Sequence, residues 1–147
     1  MSPISLTPWQ TRLIAQCPAL VGGAIACIPD DDVQIYAHES PMAFVYLGGD
    51  ASDQNRLNTG TRQRTTITVT VEIIIRRQLT LLDRFDQAAN DVLQQVRGQI
   101  GTALVGWKPD GAIKSVVHVS GALKAKDKRL IKWTDSYTTE IITEGGT

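Results

Sequence analysis

The longest unbroken alternation of apolar and polar residues in this chain runs from Gln63 to Gln78. Because side chains alternate between the two faces of a strand, it predicts a strand with one face on a core and the other facing water or another subunit. At about 3.3 Å per residue the segment extends roughly 50 Å, which is long for a domain of this size. A strand of this length either curves around the domain or projects beyond it. The apolar positions are Ile67, Val69, Val71, Ile73 and Ile75, and the polar ones are Thr66, Thr68, Thr70, Glu72 and Arg76.

The length of 147 residues suits a single domain, residues 1–147, with a core of its own. Fifteen basic and fifteen acidic residues cancel, so no overall charge draws the chain to nucleic acid or to an anionic membrane. The N-terminus has neither the basic start nor the apolar run of a signal peptide, which predicts a protein that stays in the cytoplasm where it is made. The tail, residues 144–147, is expected to be flexible.

Two helices are predicted. Thr7-Pro8-Trp9-Gln10 has the pattern of a capped helix start, and an apolar face follows at four-residue spacing up to Cys17. Thr80 to Asp83 is a second capping pattern, followed by an apolar stripe from Leu81 to Ile100 with stop signals at Gly98 and Gly101. The apolar stretch from Ala19 to Ile28 fits either a bend into another helix or a buried strand.

Strands are predicted on both sides of the second helix. Pro41 to Leu47 is a strand that ends at Gly48-Gly49, and residues 48–62 form a long polar loop. Ile113 to Ala122 is a strand with Val117 and Val119 on one face, and residues 124–129 are a basic turn before the strand Leu130 to Thr143. The fold class is therefore α+β: a mainly antiparallel twisted sheet, a short N-terminal helix and one long amphipathic helix on one side, and a long projecting hairpin loop.

No residue pattern in the sequence identifies a catalytic site. Cys17 and Cys27 lie in apolar surroundings and are interpreted as two reduced thiols. The acidic run of residues 30–32 fits a solvated turn better than a calcium loop, because it lacks the spaced ligands and the glutamate of an EF-hand. His38 and His118 are better explained by surface or interface packing than by acid-base catalysis. The sequence thus predicts a protein that is not an enzyme, with no cofactor and no metal.

Two polar strand faces call for an explanation. Threonine and serine have high strand propensity and modest hydrophobicity, which suits a sheet face that is soluble before assembly and partly buried afterwards. A solvated antiparallel face explains the same pattern, and both interpretations stay open. The positions are Thr66, Thr68, Thr70 and Glu72 on the first strand, and Thr134, Ser136, Thr138 and Glu140 on the last.

The order of these elements resembles the tail terminator proteins of long-tailed bacteriophages, the lambda-like minor tail family. The residues that carry the likeness are the helix at Thr7 to Cys17, Pro41 to Leu47 before the polar loop, Thr65 to Arg76, Leu81-Leu82-Asp83-Arg84-Phe85, and Trp133-Thr134-Asp135-Ser136-Tyr137. The likeness covers most of the chain and is one of order and pattern.

The resemblance implies a structural subunit of a hexameric ring on the last ring of the tail tube. Such a ring stops tube polymerisation and presents the surface for head or neck attachment. Its partners are other copies of itself, the tail tube protein and a neck or head-completion protein, with passive contact to passing DNA and none to membrane. It is found in the host cytoplasm during assembly and then at the head-proximal end of the tail. Another head-tail connector component, such as a head-closure or tail-completion protein, is the alternative.

Loop length and charge placement suggest two contact groups. The polar loop would reach the tube or a neighbouring subunit, and the basic turn would line the lumen or meet a partner. The loop residues are Asp50, Asp53, Gln54, Asn55, Arg56, Leu57, Arg62 and Arg64; the basic ones are Lys124, Lys126, Lys128 and Arg129.

Overall fold

The computed structural model describes residues 4–28, 40–52, 62–78 and 85–144, which contain two helices and five strands. In chain order these are α1 (Thr7–Gln16), β1 (Ala24–Ala26), β2 (Met42–Ser52), β3 (Arg62–Arg76), α2 (Gln87–Leu104), β4 (Val117–Lys126) and β5 (Leu130–Glu144). The strands form one sheet in the order β1-β2-β3-β5-β4. All neighbours are antiparallel except β1 and β2. The predicted α+β class with a mainly antiparallel sheet is confirmed.

The alternating segment forms β3, the central strand of the sheet. It pairs with β5 from Arg62 opposite Glu144 to Arg76 opposite Leu130, and with β2 on its other side. Its aliphatic side chains from Ile67 to Ile75 belong to the main core. The alternation arises because one face of this strand packs beneath the helices while the other does not.

Both helices lie on that face of the sheet. α1 buries Trp9 and Leu13 against it, and Cys17 follows in the same core. Trp9 packs edge-on against Trp107, with ring centroids 5.3 Å apart. The opposite face, called the open face below, has a smaller buried cluster at one end: Met42, Phe44, Ile74 and Leu130.

The predicted cap of α1 is wrong in its detail. The N-cap is Leu6 and makes no side-chain cap bond, while the Thr7 amide bonds to the Ser5 hydroxyl at 3.3 Å. Gln10 does not return to the helix start, because its side-chain oxygen accepts a 2.6 Å bond from the Ala26 amide. The segment at residues 19–28, for which the sequence allowed a bend into a helix or a buried strand, turns and then forms the short strand β1, parallel to β2.

α2 begins at Gln87, six residues later than the predicted start at Leu81, and it runs past both glycine stop signals to Leu104. The capping pattern at residues 80–83 lies outside the described residues. Phe85, predicted in the apolar stripe, is 87% exposed. A helical glycine costs about 1 kcal/mol relative to alanine, and burial of Ala103 and Leu104 beyond the glycines outweighs that cost.

β2 does not end at Gly48-Gly49. The register shifts between Leu47 and Gly49, and pairing then continues to Ser52 opposite Thr65. A β-carbon on Gly48 would lie 2.5 Å from the Thr70 hydroxyl, so glycine permits a bulge and a close approach here. The predicted loop 48–62 therefore starts as strand at 48–52, and residues 53–61 lie outside the described residues.

β4 begins at Val117 instead of Ile113 and ends at Lys126 instead of Ala122. Its register shifts between His118 and Ser120 and again between Leu123 and Ala125. The first shift breaks the predicted placement of Val117 and Val119 on one face. All ten residues of this edge strand are exposed, so no buried face marks its limits in the sequence.

Candidate functional site

The open face brings together the two polar strand faces that the sequence singled out. The register of β3 and β5 places Thr66 opposite Glu140, Thr68 opposite Thr138, Thr70 opposite Ser136 and Glu72 opposite Thr134. Neither helix packs on this side, since the residues that share the helix core are the odd-numbered ones of β3 and β5. Most of these polar side chains are half-buried by their neighbours. The result is a largely uncharged polar surface two strands wide.

Glu72 lies in this surface and is only 1% exposed. Its carboxylate accepts a 3.2 Å hydrogen bond from the Tyr46 hydroxyl and pairs with the ammonium group of Lys124. Burial and the nearby Glu72 charge raise the pKa of Tyr46. Lys124 is thus bound to the sheet, where its positive charge compensates a buried negative one.

A second ion cluster lies where β3 ends. The Arg77 guanidinium makes two bonds to the Asp86 carboxylate, at 2.8 and 3.0 Å, and Lys126 reaches the same group at 2.9 Å. These contacts, led by the one from Arg77, lower the pKa of Asp86. Asp86 precedes α2 in the left-handed conformation, at a φ of 59°. Arg77 also donates to the Asp127 carbonyl at 2.6 Å, so the cluster joins β3, α2 and the β4–β5 hairpin.

The four basic residues predicted to form one contact surface therefore divide. Lys124 and Lys126 belong to β4 and pair with acidic groups of the same chain. Lys128 and Arg129 lie in the hairpin itself, which Asp127 closes by accepting bonds from the amides of Arg129 and Leu130 at 2.7 and 2.8 Å. Lys128 and Arg129 remain exposed at the tip of the hairpin.

The other predicted contact group lies at the far end of the sheet. Asp50 is exposed near the end of β2, and Arg62 and Arg64 are exposed at the start of β3. From Arg62 to the hairpin end, β3 extends roughly 45 Å at the usual rise per residue. The two groups therefore cannot form one contact surface on a single subunit. Asp53, Gln54, Asn55, Arg56 and Leu57 lie outside the described residues.

The sequence did not predict a polar cluster beneath α2. Asp135 of β5 is 1% exposed and accepts two bonds from Arg97, both 3.0 Å, and one of 2.9 Å from the His118 ring. Burial raises the pKa of Asp135, but hydrogen bonds from Arg97 and His118 outweigh it and lower the pKa below the usual value. The Arg97 guanidinium also lies over the Trp133 ring, 4.7 Å from its centroid.

One signal for this cluster was present in the sequence. Asp135 falls in phase with Ile131, Trp133 and Tyr137, which face the core, and a carboxylate in a phase that faces the core requires a cation. Gly121 leaves the space for the ion pair, because a β-carbon there would lie 2.3 Å from the Asp135 carboxylate and 2.8 Å from Arg97.

Within the described ranges, no cluster of three or more metal-ligating side chains occurs. Cys17 and Cys27 are both free thiols, as predicted. Burial raises the pKa of the Cys17 thiol to about 11, which leaves it protonated at neutral pH. No helix in this part of the chain is long and apolar enough to cross a membrane.

Comparison with known proteins gives one family and one fold. A family model described as "Phage tail terminator protein" matches residues 1–146. No curated protein matches the chain in sequence. Among solved structures, a chain of a particle described as "Virion of native gene transfer agent (GTA) particle" superposes with a TM-score of 0.57 at 16% sequence identity. The match covers 92% of this chain and 91% of that one, and at this identity it indicates a shared fold.

Proposed function

The chain belongs to the phage tail terminator family, and from that membership we propose that it caps the head-proximal end of the tail tube. It is a structural protein of a phage tail. In the proposal, six copies form a ring on the last ring of tube subunits, block further addition of tube protein, and offer their outer surface to a neck or head-completion protein. The family match over residues 1–146 is the observation that carries this proposal.

The geometry supports a function by contact at two surfaces. The exposed residues at the β2–β3 end and those at the β4–β5 hairpin lie roughly 45 Å apart along β3. A ring subunit between a tube and a head needs two such separated surfaces. We assign the β2–β3 end and residues 53–61 to the tube or a neighbouring subunit, and the hairpin to the lumen or the head-side partner.

Electron microscopy of tails assembled with and without the protein tests the proposal. Without it, tubes of uncontrolled length are expected, because nothing stops addition at the growing end. With it, tails have a uniform length and one added ring at the head-proximal end. Tails of normal length in its absence would contradict a role in termination. A ring on the head side of an otherwise finished tail would favour the alternative, a head-closure or tail-completion protein.

A shortened variant tests the assignment of the tube-binding end. β2 and β3 are already paired from Ser52 opposite Thr65, so replacing residues 53–61 by a short glycine-serine turn should leave the sheet folded. We expect this variant to unfold at a similar urea concentration and to lose binding to purified tail tubes. Undiminished tube binding would remove this segment from the mechanism.

A further inference from the structure

Two stretches of strand edge have no neighbouring strand among the described residues. β4 pairs with β5 alone, and its ten residues are all exposed. On the opposite side of the sheet, β1 covers β2 only from Ala43 to Val45, so Leu47–Ser52 pairs with β3 alone. An unpaired edge presents a row of N–H and C=O groups that another strand can bind.

The two edges run in opposite directions. β2 and β3, β3 and β5, and β5 and β4 are three successive antiparallel pairs, so β4 is antiparallel to β2. Subunits related by rotation about a ring axis keep the same orientation toward that axis. The β4 edge of one copy therefore meets the β2 edge of the next as an antiparallel pair, and a head-to-tail contact of this kind closes a ring.

We propose that β4 of one subunit pairs with Leu47–Ser52 of the next copy, which extends the sheet from subunit to subunit around the ring. The inference rests on the proposed ring function and names the surface through which that ring closes. The partner is a second copy of this chain.

The exposed side chains select a register for this pairing. Leu47 and Leu123 are each 54% exposed and both lie on the helix side of the sheet, opposite Val69 and Trp133 of their own subunits. Residues that pair across strands share a face, so Leu47 opposite Leu123 gives an apolar cross-strand contact. Without that contact, both leucines remain in water.

The same register places Asp50 opposite Gly121 on the helix side, since the bulge at Gly48 skips one position. Gly121 has no side chain, and the groups nearest to a β-carbon there are the Asp135 carboxylate and the Arg97 guanidinium, which pair with each other. On the open face, Ala51 of one copy lies opposite Ser120 of the next.

Disulfide trapping tests the pairing. In a Cys27→Ala background, A51C and an affinity-tagged S120C are mixed, bound to purified tail tubes and oxidised. We expect a disulfide-linked pair of one tagged and one untagged chain, because directly opposed residues bring their β-carbons to about 4.5–5.5 Å. The double variant should give a covalent ladder of up to six chains, and each single variant alone should give no dimer.

The outcomes separate the two proposals. Rings on tubes without a mixed disulfide would overturn the edge pairing and leave the cap function standing. Dimers of S120C alone would indicate β4 paired with β4 in a two-fold dimer, which also overturns it. No binding of wild-type protein to tubes would contradict the cap function, whatever the cysteines report.

A charge substitution gives a second measurement that needs no disulfide. Leu123→Lys puts an ammonium group opposite Leu47, whereas Ile14→Lys on the exposed side of α1 alters a side chain of similar exposure, 52%, away from both edges. We expect L123K to raise the protein concentration for half-assembly at least tenfold by sedimentation, and I14K to leave it within twofold. Equal assembly of the two variants would overturn the proposed edge pairing.

Discussion

At the scale of single residues, two glycines with opposite surroundings give a matched pair of substitutions. Gly121→Ala would place a methyl group 2.3 Å from the Asp135 carboxylate, so the ion pair with Arg97 must shift. Gly98 lies in α2 with nothing within 4 Å of an added β-carbon. We expect G121A to lower the free energy of unfolding by about 1–3 kcal/mol and G98A to raise it by about 0.5–1 kcal/mol.

Urea denaturation of both variants measures these changes. The m-value should stay constant, because neither substitution alters the surface exposed on unfolding by much. An unchanged urea midpoint for G121A would mean that the Asp135 and Arg97 side chains can move away from the added methyl group without loss of stability.

The Asp135 carboxylate makes stability depend on pH. Its folded pKa is lowered, so its stabilisation is present above the unfolded pKa of about 3.9 and is lost as pH falls through the folded value. Asp135→Asn leaves Arg97 without its counter-charge, although that side chain is partly exposed. We expect D135N to be less stable by about 2–3 kcal/mol at pH 7.

The difference between wild type and D135N should shrink as pH falls below about 4. Asp86 and Asp127 also have lowered pKa values, so wild type alone would not isolate Asp135. The comparison with D135N removes their contribution. A difference that stays constant down to pH 2 would contradict the assigned role of the Asp135 charge.

At the scale of secondary structure elements, Lys124 anchors the edge strand to the sheet. Lys124→Met would leave the Glu72 carboxylate, 1% exposed, without its cation. Lys128→Met changes a charge at the hairpin tip for which no ion pair occurs within the described residues. We expect K124M to lower the free energy of unfolding by about 2 kcal/mol, less than for a fully buried pair because Lys124 is itself 44% exposed.

K128M should change the free energy of unfolding by less than about 0.5 kcal/mol. Thermal and urea unfolding of the two variants measure both effects. Equal stability of K124M and K128M would mean that the Lys124–Glu72 ion pair does not stabilise the fold. It would favour the prediction from the basic run that Lys124 contacts a partner.

The elements that the sequence predicted well are those that bury one face. β3 and β5 alternate because helices cover one side, and the burial of Ile131, Tyr137 and Ile141 follows the predicted phase. β4 buries no residue. Its ends and its two register shifts therefore produce no apolar pattern in the sequence from which they could be predicted. The true start of α2 was missed because Asp86, its N-cap residue, makes no side-chain capping bond and instead pairs with Arg77.

The candidate contact residues show the same limit. Charge placement identified the basic run, but it could not show that Lys124 and Lys126 are bound to acidic residues distant in sequence. Only the strand register separates these from Lys128 and Arg129 at the hairpin. Exposed positions at the other end, such as Asp50, were predictable because a polar stretch interrupts two apolar strands.

At the scale of the whole molecule, the long central strand sets the distance between the two proposed contact ends. The β2–β3 end and the hairpin are joined by β3, which pairs along its length with β5. A sheet paired along its whole length is rigid, so a change at one end leaves the geometry of the other end unchanged. Substitutions at the two ends should therefore have separable effects on assembly.

We expect the double variant Lys128→Glu and Arg129→Glu to bind tail tubes and control tail length as wild type does, while fewer tails join to heads. The reason is that a reversal of charge at the hairpin opposes any negatively charged partner or passing DNA there. Replacement of residues 53–61 should do the reverse and abolish tube binding. Tail length by electron microscopy and the yield of joined particles measure the two effects, with Lys108→Glu, an exposed charge outside both ends, as the control. If the hairpin variant lost tube binding while K108E did not, the tube would contact the hairpin, and the assignment of the two ends would have to be exchanged.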